Sequence, residues 1–433
     1  MNKKRDEKKK RIKELLRRIN ETGELGELKE EFKELLGSIS PLEIPMVEQE
    51  MMEEGMDAKE ITRMCDIHVE LFRESVEEKF DLGGLDDGHP LKTLYRENEK
   101  ISKDAEKLGL RVKDLSQGGG GKAFGELGKL AGELVKLGRT HYTREEMLLF
   151  PYLERRGITS VPEVLWRKHD ENRERIRDLL SLLDRENWEG KPPIDEVIEK
   201  ANEVSQETID MVFRENNILY PTGRALLSEG EWTAIYKQSE RIGYYKVGQV
   251  EWKPDASPKQ PYEISGGIGE DQIGKLPQEI KGMVDLDSLT ADDYNPGKEG
   301  DHRIDFGFLS DTELEEILRT LPIDVTFIDS EDRVRYFSGG ERIFPRTKTV
   351  IGRPVQNCHP PDSVSVVNSI LNEFKAGNRE EAEFWLQLGP KFVHIRYFPV
   401  RNEEGDYLGT LEVTQDIKEI RELEGERKLL DWN

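Results

Sequence analysis

HYTREEMLLFPYLERRG, from His141 to Gly157, is the stretch whose reading decides the fold. His141 and Glu145 stand four residues apart, so a helix projects one imidazole and one carboxylate from the same face, one turn apart. Leu148, Leu149, Phe150 and Tyr152 crowd the same segment with apolar bulk. The polar pair is therefore expected to point into a packed interior, where a charge needs a partner. A second stretch, MVFRENNILYP at 211–221, repeats the arrangement, with Glu215 preceding an I-L-aromatic-Pro ending as Glu145 precedes L-L-F-P. With His89 and His169 on two further helices, imidazoles and carboxylates converge on one point, which is the makeup of a metal cage.

Helical spacing supports four helices, at about 89–109, 123–154, 161–184 and 194–220, the first two joined by the glycine tract Gly118–Gly121, read as a flexible connection. In an up-and-down bundle, residues equidistant from a turn lie at one level. Reflecting His141 through residue 115 reaches His89. Reflecting His141 and Glu145 through a turn at 157 brackets His169, and reflecting His169 through a turn near 190 arrives one helical turn before Glu215. Glu97 shares the first helix with His89 but is about 12 Å further along it at the α-helical rise, and is expected to lie too deep for the same centre.

Outward from this bundle the chain changes character twice. At 433 residues it is too long for one core, so several modules are expected. Residues 1–84 read as a helical domain, with Pro41 following a Ser40 N-cap and Asp57 with Glu60 as a capping box. There Cys65 and His68 fall on an apolar helix face, read as a packed thiol and a core histidine rather than half of a metal site. The bundle occupies 85–243 and ends on a helix framed by Ser228 and Glu231. Residues 244–308, rich in Gly, Pro, Asp and Lys, read as a linker with one or two local strands. Residues 309–433 form an α+β module: a short helix, the hairpin IDVTFIDSEDRVRYFS, two helices of which SVSVVNSILNEFKAG is the longer, three aromatic-rich strands and a charged last helix. Cys358 and His359 are read as a proline-closed loop rather than as axial ligands of a haem.

The totals exclude some classes of function. Net charge is -24, from 89 acidic against 65 basic residues, which disfavours nucleic acid and anionic membrane as partners. Two cysteines far apart give no disulfide framework and suit a reducing compartment. No apolar run approaches the roughly 18 residues needed to span a bilayer, and the basic start lacks the apolar core of a signal peptide. The expectation is a cytoplasmic protein.

The residues from His89 to about Trp232 resemble the hemerythrin-like cation-binding bundle, whose helices carry His, then H-x-x-x-E, then His, then H-x-x-x-E before L-F-P endings. The matching positions are His89, His141 with Glu145, His169 in KHDENRERI, and Glu215 before ILYP. The region 310–417, closing in TQDI, resembles a PAS sensor domain. The N-terminal part, with MCDIHVELF, looks like a domain of unknown function that accompanies these two in bacteria and archaea. The resemblance implies two non-haem irons, with His89, His141 and His169 as terminal ligands and Glu145 and Glu215 bridging.

One position departs from the pattern: Met211 stands where the family has its fourth histidine. A thioether suits iron poorly, which leaves either an open coordination position or another group to fill it, with His68, Tyr142 and Glu146 as candidates. The expected function is a sensor of O2, nitric oxide or redox state coupled to the PAS domain, whose own ligand the residues do not specify. Its output would go to a downstream signalling protein, through the last helix and a PAS homodimer. The alternatives are an iron enzyme or iron-handling protein acting on peroxide, nitric oxide or damaged iron-sulfur clusters, and a zinc-stabilised scaffold.

Overall fold

The protein is described from a computed structural model over residues 82–116, 120–184, 193–265, 267 and 290–427. Nearly all of the expected N-terminal domain, including Cys65 and His68, lies outside these residues. The chain divides into two compact units, one ending at Asn295 and one beginning at Pro296.

The first unit is built on four helical rods. The first is α1 (Pro90–Ser116). The second runs through α2 (Gly120–Arg139), α3 (His141–Arg144), a π-helical turn π1 (Glu145–Leu149) and α4 (Phe150–Glu154). The third is α5 (Ser160–Leu183). The fourth runs through α6 (Ile194–Arg214), a second π-turn π2 (Glu215–Leu219) and α7 (Tyr220–Leu226). α1 packs on α2, α2 on α5, α5 on α6 and α6 on α1, the closed cycle of an up-and-down bundle. Leu94, Ile101, Leu108, Val112 and Leu115 of α1 and Leu127, Ala131, Leu134 and Leu137 of α2 are buried at helical spacing and fill its interior. Gly157 ends the second rod at φ 81°, and a side chain there would run into the Thr290 carbonyl, so glycine is required twice over.

α1 extends past Leu110, where the sequence predicts that it fades, because Val112 and Leu115 continue its buried stripe. Gly120 and Gly121 already belong to α2, so only part of the glycine tract remains for the connection. The midpoint between the end of α1 at Ser116 and the start of α2 at Gly120 is therefore 118 rather than 115. Reflection through it brings His141 level with the neighbourhood of Glu97, not with His89.

The capped helix predicted at Ser228 is α8 (Glu229–Ile242), whose Glu231 carboxylate accepts from the Ser228 N–H at 2.7 Å and from Arg156 at 2.7 Å. Beyond it, residues 244–265 were expected as linker without a core. They instead lie along the bundle and contribute to its interior. Tyr245 is 1% exposed, Trp252 is buried, the Tyr152 hydroxyl donates to the Lys259 carbonyl at 2.9 Å, and the Lys259 N–H donates to the Gly230 carbonyl at 2.9 Å. The absence of helical or strand periodicity concealed this segment, which two large aromatic side chains and its hydrogen bonds anchor.

The second unit opens with a two-stranded hairpin, β1 (His302–Ile304) and β2 (Gly307–Leu309), then helix α9 (Asp311–Thr320) capped by Ser310 and Glu313. Five antiparallel strands follow: β3 (Asp324–Asp329), β4 (Val334–Phe337), β5 (Ala382–Leu388), β6 (Lys391–Arg401) and β7 (Tyr407–Asp416), in the order β4-β3-β7-β6-β5. Helix α10 (Val364–Lys375) packs on β6 and β7, with Leu371 meeting Ile328 and Val355. The hairpin, the longer of the two expected helices and the three closing strands fall where the spacing predicts them, while in place of the shorter helix the chain makes 3-10 turns at Lys348–Val350, Val355–Cys358 and Pro361–Ser363. The charged last helix does not form over its described part: residues 420–422 make one 3-10 turn and irregular chain follows. The two apolar residues of EIRELEGER, Ile420 and Leu423, stay exposed and give a helix no buried face, and helix propensity alone is insufficient at this length. No helix among the described residues is long and apolar enough to cross a membrane.

Candidate metal centre

The two π-turns are the local feature that builds the centre. Pro151 and Pro221 lack an N–H, and a proline ring clashes with the carbonyl four residues earlier, so a regular α-helix cannot run through L-F-P or L-Y-P. The helix widens instead, and the Phe150 N–H reaches the Glu145 carbonyl while the Tyr220 N–H reaches the Glu215 carbonyl, each five residues back. Each turn thus begins on a glutamate and stacks the aromatic residue five positions later along the same side of the rod.

His141, Glu145, His169 and Glu215 meet in the bundle interior, each with 0% of its side chain exposed. Their distances pair off regularly. His141 Nε2 lies 3.5 Å from Glu145 Oε1 and 3.3 Å from Glu215 Oε2, while His169 Nε2 lies 3.4 Å from Glu145 Oε2 and 3.8 Å from Glu215 Oε1. Each carboxylate therefore gives one oxygen to each imidazole. Ligand atoms of His141, Glu145 and Glu215 all lie within 4.8 Å of one another.

The far nitrogen of each imidazole is held by another carboxylate. His141 Nδ1 donates to Glu97 Oε2 at 3.0 Å, and His169 Nδ1 donates to Glu146 Oε1 at 2.8 Å. An ionised carboxylate only accepts, so both Nδ1 atoms carry the proton and both Nε2 atoms face the cluster. Each of these carboxylates is held by an arginine, Glu97 by Arg144 and Glu146 by Arg173 at 2.8 Å. Glu97 Oε1 also accepts from the Tyr245 N–H at 2.5 Å, so the segment after the bundle fixes the orientation of His141. Carboxylates behind the imidazoles are the usual support of metal-ligating histidines.

His89 is not part of the cluster. Glu97, eight residues further along α1, is the residue of that helix that touches His141, which puts His89 about 12 Å away along the axis. Its ring sits between Trp232 at 5.1 Å and Trp252 at 4.9 Å, and its Nδ1 accepts from the Leu91 N–H. It packs the bundle's mouth and caps α1. Burial holds its pKa down at about 4, Arg224 adding to the effect, so it stays neutral. Of the candidates for the position vacated at Met211, Tyr142 stacks on His169 with its hydroxyl turned to Asn172, and Glu146 serves His169 from behind. His68 lies outside the described residues.

Spacing arguments missed two residues. Reflection through 115, three residues before the midpoint of α1 and α2, puts His89 rather than Glu97 level with His141. Tyr220 is the aromatic residue of the I-L-aromatic-Pro ending, and its hydroxyl lies at the cluster, 2.6 Å from Glu145 Oε1 and 3.2 Å from His141 Nε2. The readable signal was the tyrosine of ILYP where the first half has phenylalanine, Phe150.

Electrostatics show what the cluster lacks. Burial works against charged imidazoles, yet the surrounding carboxylates override it and lift both His141 and His169 to about 10. Glu145 is pushed up by burial and by Glu215, while His141 pulls Glu215 down in spite of its burial. Glu145 Oε2, His169 Nε2 and Glu215 Oε1 are buried without a hydrogen-bond partner. Three unsatisfied atoms facing one another, on hard and borderline donors, fit a cation between them.

In the second unit, His359 donates from Nδ1 to the Val355 carbonyl at 2.9 Å. His394 lies 3.0 Å from Glu383 across the β5–β6 pair. A cavity of about 280 Å³ lies under α10, walled by Ile328, Val367, Leu371 and Phe384, with Tyr397 and Glu412 as polar groups.

Residues 89–222 match the hemerythrin HHE cation binding domain, 314–418 match a PAS domain, and 12–78 match a family of unknown function (DUF438). No curated protein matches the chain. Among solved structures, a C-terminal domain from Streptococcus mutans is 33% identical, covering 29% of this chain and 97% of that one at a TM-score of 0.28. A PAS domain from Colwellia psychrerythraea is 14% identical over 25% and 97%, TM-score 0.21. A sensory box sensor histidine kinase from Vibrio cholerae is 13% identical over 24% and 87%, TM-score 0.19. The three family matches, in agreement with the folds of the two units, identify the chain as a multidomain protein joining a DUF438 region, a hemerythrin HHE cation-binding domain and a PAS domain.

Proposed function

We propose that the bundle holds two iron ions and that the protein senses O2, nitric oxide or redox state through them, with the PAS domain relaying or integrating a second signal. The observation that carries this reading is the pairing of distances: Glu145 and Glu215 each turn one oxygen to His141 and the other to His169, so that both carboxylates would serve an ion at either imidazole. His141 would hold one ion and His169 the other, each imidazole oriented by its own carboxylate and arginine. Iron supplies reversible one-electron chemistry and affinity for diatomic ligands. The protein supplies a dry interior, two fixed Nε2 donors and four carboxylate oxygens. The ligand set is smaller than the resemblance implies, since neither His89 nor Met211 contributes, and a sparse set leaves coordination positions for an external ligand. The PAS match, with its apolar cavity, supports a signalling role and a partner protein as the recipient of the output.

The test is anaerobic purification followed by metal quantitation and an optical spectrum before and after air. Two irons per chain, with charge-transfer bands that change on oxidation and no sustained turnover of peroxide or nitric oxide with an electron donor, support a sensor. Sustained turnover supports the enzyme alternative. A colourless protein holding one zinc overturns both.

A further inference from the structure

We propose that Tyr220 is itself a metal ligand, on the His141 side of the centre, in place of the histidine that Met211 replaces. The inference rests on the reading that the cluster binds metal. The two halves of the site are built alike, as His141, Glu145 and Phe150 in one and Met211, Glu215 and Tyr220 in the other. The second half has lost a donor at its first position and gained one at its last. Met211 is 1% exposed and packs in the apolar core, so the loss is real. The π-turn carries the gain: the i to i−5 hydrogen bond from the Tyr220 N–H to the Glu215 carbonyl fixes the turn that bears the phenol, whose hydroxyl reaches Glu145 and His141.

The phenol oxygen is fully buried and lies 3.2 Å from His141 Nε2 and 2.6 Å from Glu145 Oε1. Among the described residues its remaining hydrogen-bond neighbour is Asn98, whose amide donates to it at 3.3 Å. This amide can stabilise negative charge on the oxygen. The four donors around one point are then an imidazole, one oxygen from each of two carboxylates, and a phenolic oxygen, a hard set suited to ferric iron. Among the described residues no phenol oxygen is turned to His169 Nε2: Phe150 stands in the matching place, 6.1 Å between ring centroids, with no donor atom, and Tyr142, stacked on the ring, turns its hydroxyl to Asn172. The two halves of the centre are therefore chemically unequal, with the more open coordination on the His169 side. On binding, the O–H bond of Tyr220 breaks, an oxygen–metal bond forms, and the proton is released to buffer.

The experiment uses the full chain loaded with ferrous iron and oxidised in air. The wild type should show a visible phenolate-to-iron(III) charge-transfer band, with tyrosinate ring modes in the resonance Raman spectrum excited within it. Tyr220→Phe should lose band and modes while retaining iron and an unchanged circular dichroism spectrum. Tyr152→Phe, whose hydroxyl bonds the Lys259 carbonyl elsewhere, should keep them. Iron bound by the wild type without tyrosinate modes, or modes that persist in Tyr220→Phe, overturns the assignment and leaves the metal reading intact. If Tyr220→Phe does not fold, Raman modes in the wild type that survive Tyr142→Phe support Tyr220, and modes abolished by Tyr142→Phe overturn it. A wild type that takes up no metal overturns both readings.

Discussion

Glu97→Gln is the substitution that best separates this site from a bundle with four merely buried polar residues. The Glu97 carboxylate is fully buried and receives His141 Nδ1, Arg144 and the Tyr245 N–H together. The amide keeps the shape, removes the charge, and presents an NH2 to one of three donors. Two effects follow, and they are measured separately. Arg144, 4% exposed, loses its ionic partner, and breaking a buried pair in this way costs about 3 kcal/mol. His141 loses the carboxylate that orients its ring, and removing such a support lowers metal affinity roughly 10- to 100-fold, equivalent to about 1.4–2.7 kcal/mol. The affinity is read by anaerobic competition for Fe2+ against a chromogenic chelator, and the stability by urea unfolding of the metal-free protein. Glu99→Gln, at an exposed position of the same helix, is the control and should change neither. Unchanged iron affinity in Glu97→Gln, with stability lowered as expected, would refute the claim that Glu97 acts on the metal through His141.

Three further outcomes are expected. His89→Gln should leave metal content unchanged and flatten the acid limb of the stability curve. With its pKa at 6.5 when unfolded and about 4 when folded, His89 contributes no penalty above pH 6.5 and destabilises the wild type progressively as pH falls toward 4, by at most about 3 kcal/mol; an identical acid limb in the two proteins contradicts its neutral burial. His141 and His169, both raised to about 10 without a cation, must each shed a proton to ligate, so metal affinity should rise by about tenfold or more per pH unit between pH 6 and 8. A pH-independent affinity measured by the same competition would mean that these imidazoles are not the ligands. Finally, chelation should lower the thermal midpoint of the bundle, since metal at a hundredfold over its Kd stabilises by about 2.7 kcal/mol; calorimetry that shows no shift would place the metal outside the folded core.

Much of the site was legible in the sequence because helical periodicity is a local property. His141 and Glu145 share a face at any four-residue spacing, and the turn at Gly157 is marked by a residue that the left-handed backbone requires, so the match of Glu145 with His169 could be read by reflection. The paired L-F-P and L-Y-P endings likewise located both glutamates, because proline forbids a regular helix wherever it falls. In the second unit the alternating aromatic strands and their glycine turns fixed a five-stranded antiparallel sheet.

What tertiary structure decided were the quantities that depend on register between segments. A helix end buried by Val112 and Leu115 moved one turn by a few residues, and that shift exchanged His89 for Glu97 at the level of His141. Tyr245 and Trp252 joined the core from a stretch with no periodicity, since two aromatic side chains and a run of backbone hydrogen bonds suffice to hold it when a complementary surface already exists. The turn of Tyr220 toward the cluster follows from a π-helical hydrogen bond that residue spacing does not display. Sequence alone thus determined which side chains could carry the chemistry, and the packing of one rod against the next determined which of them meet.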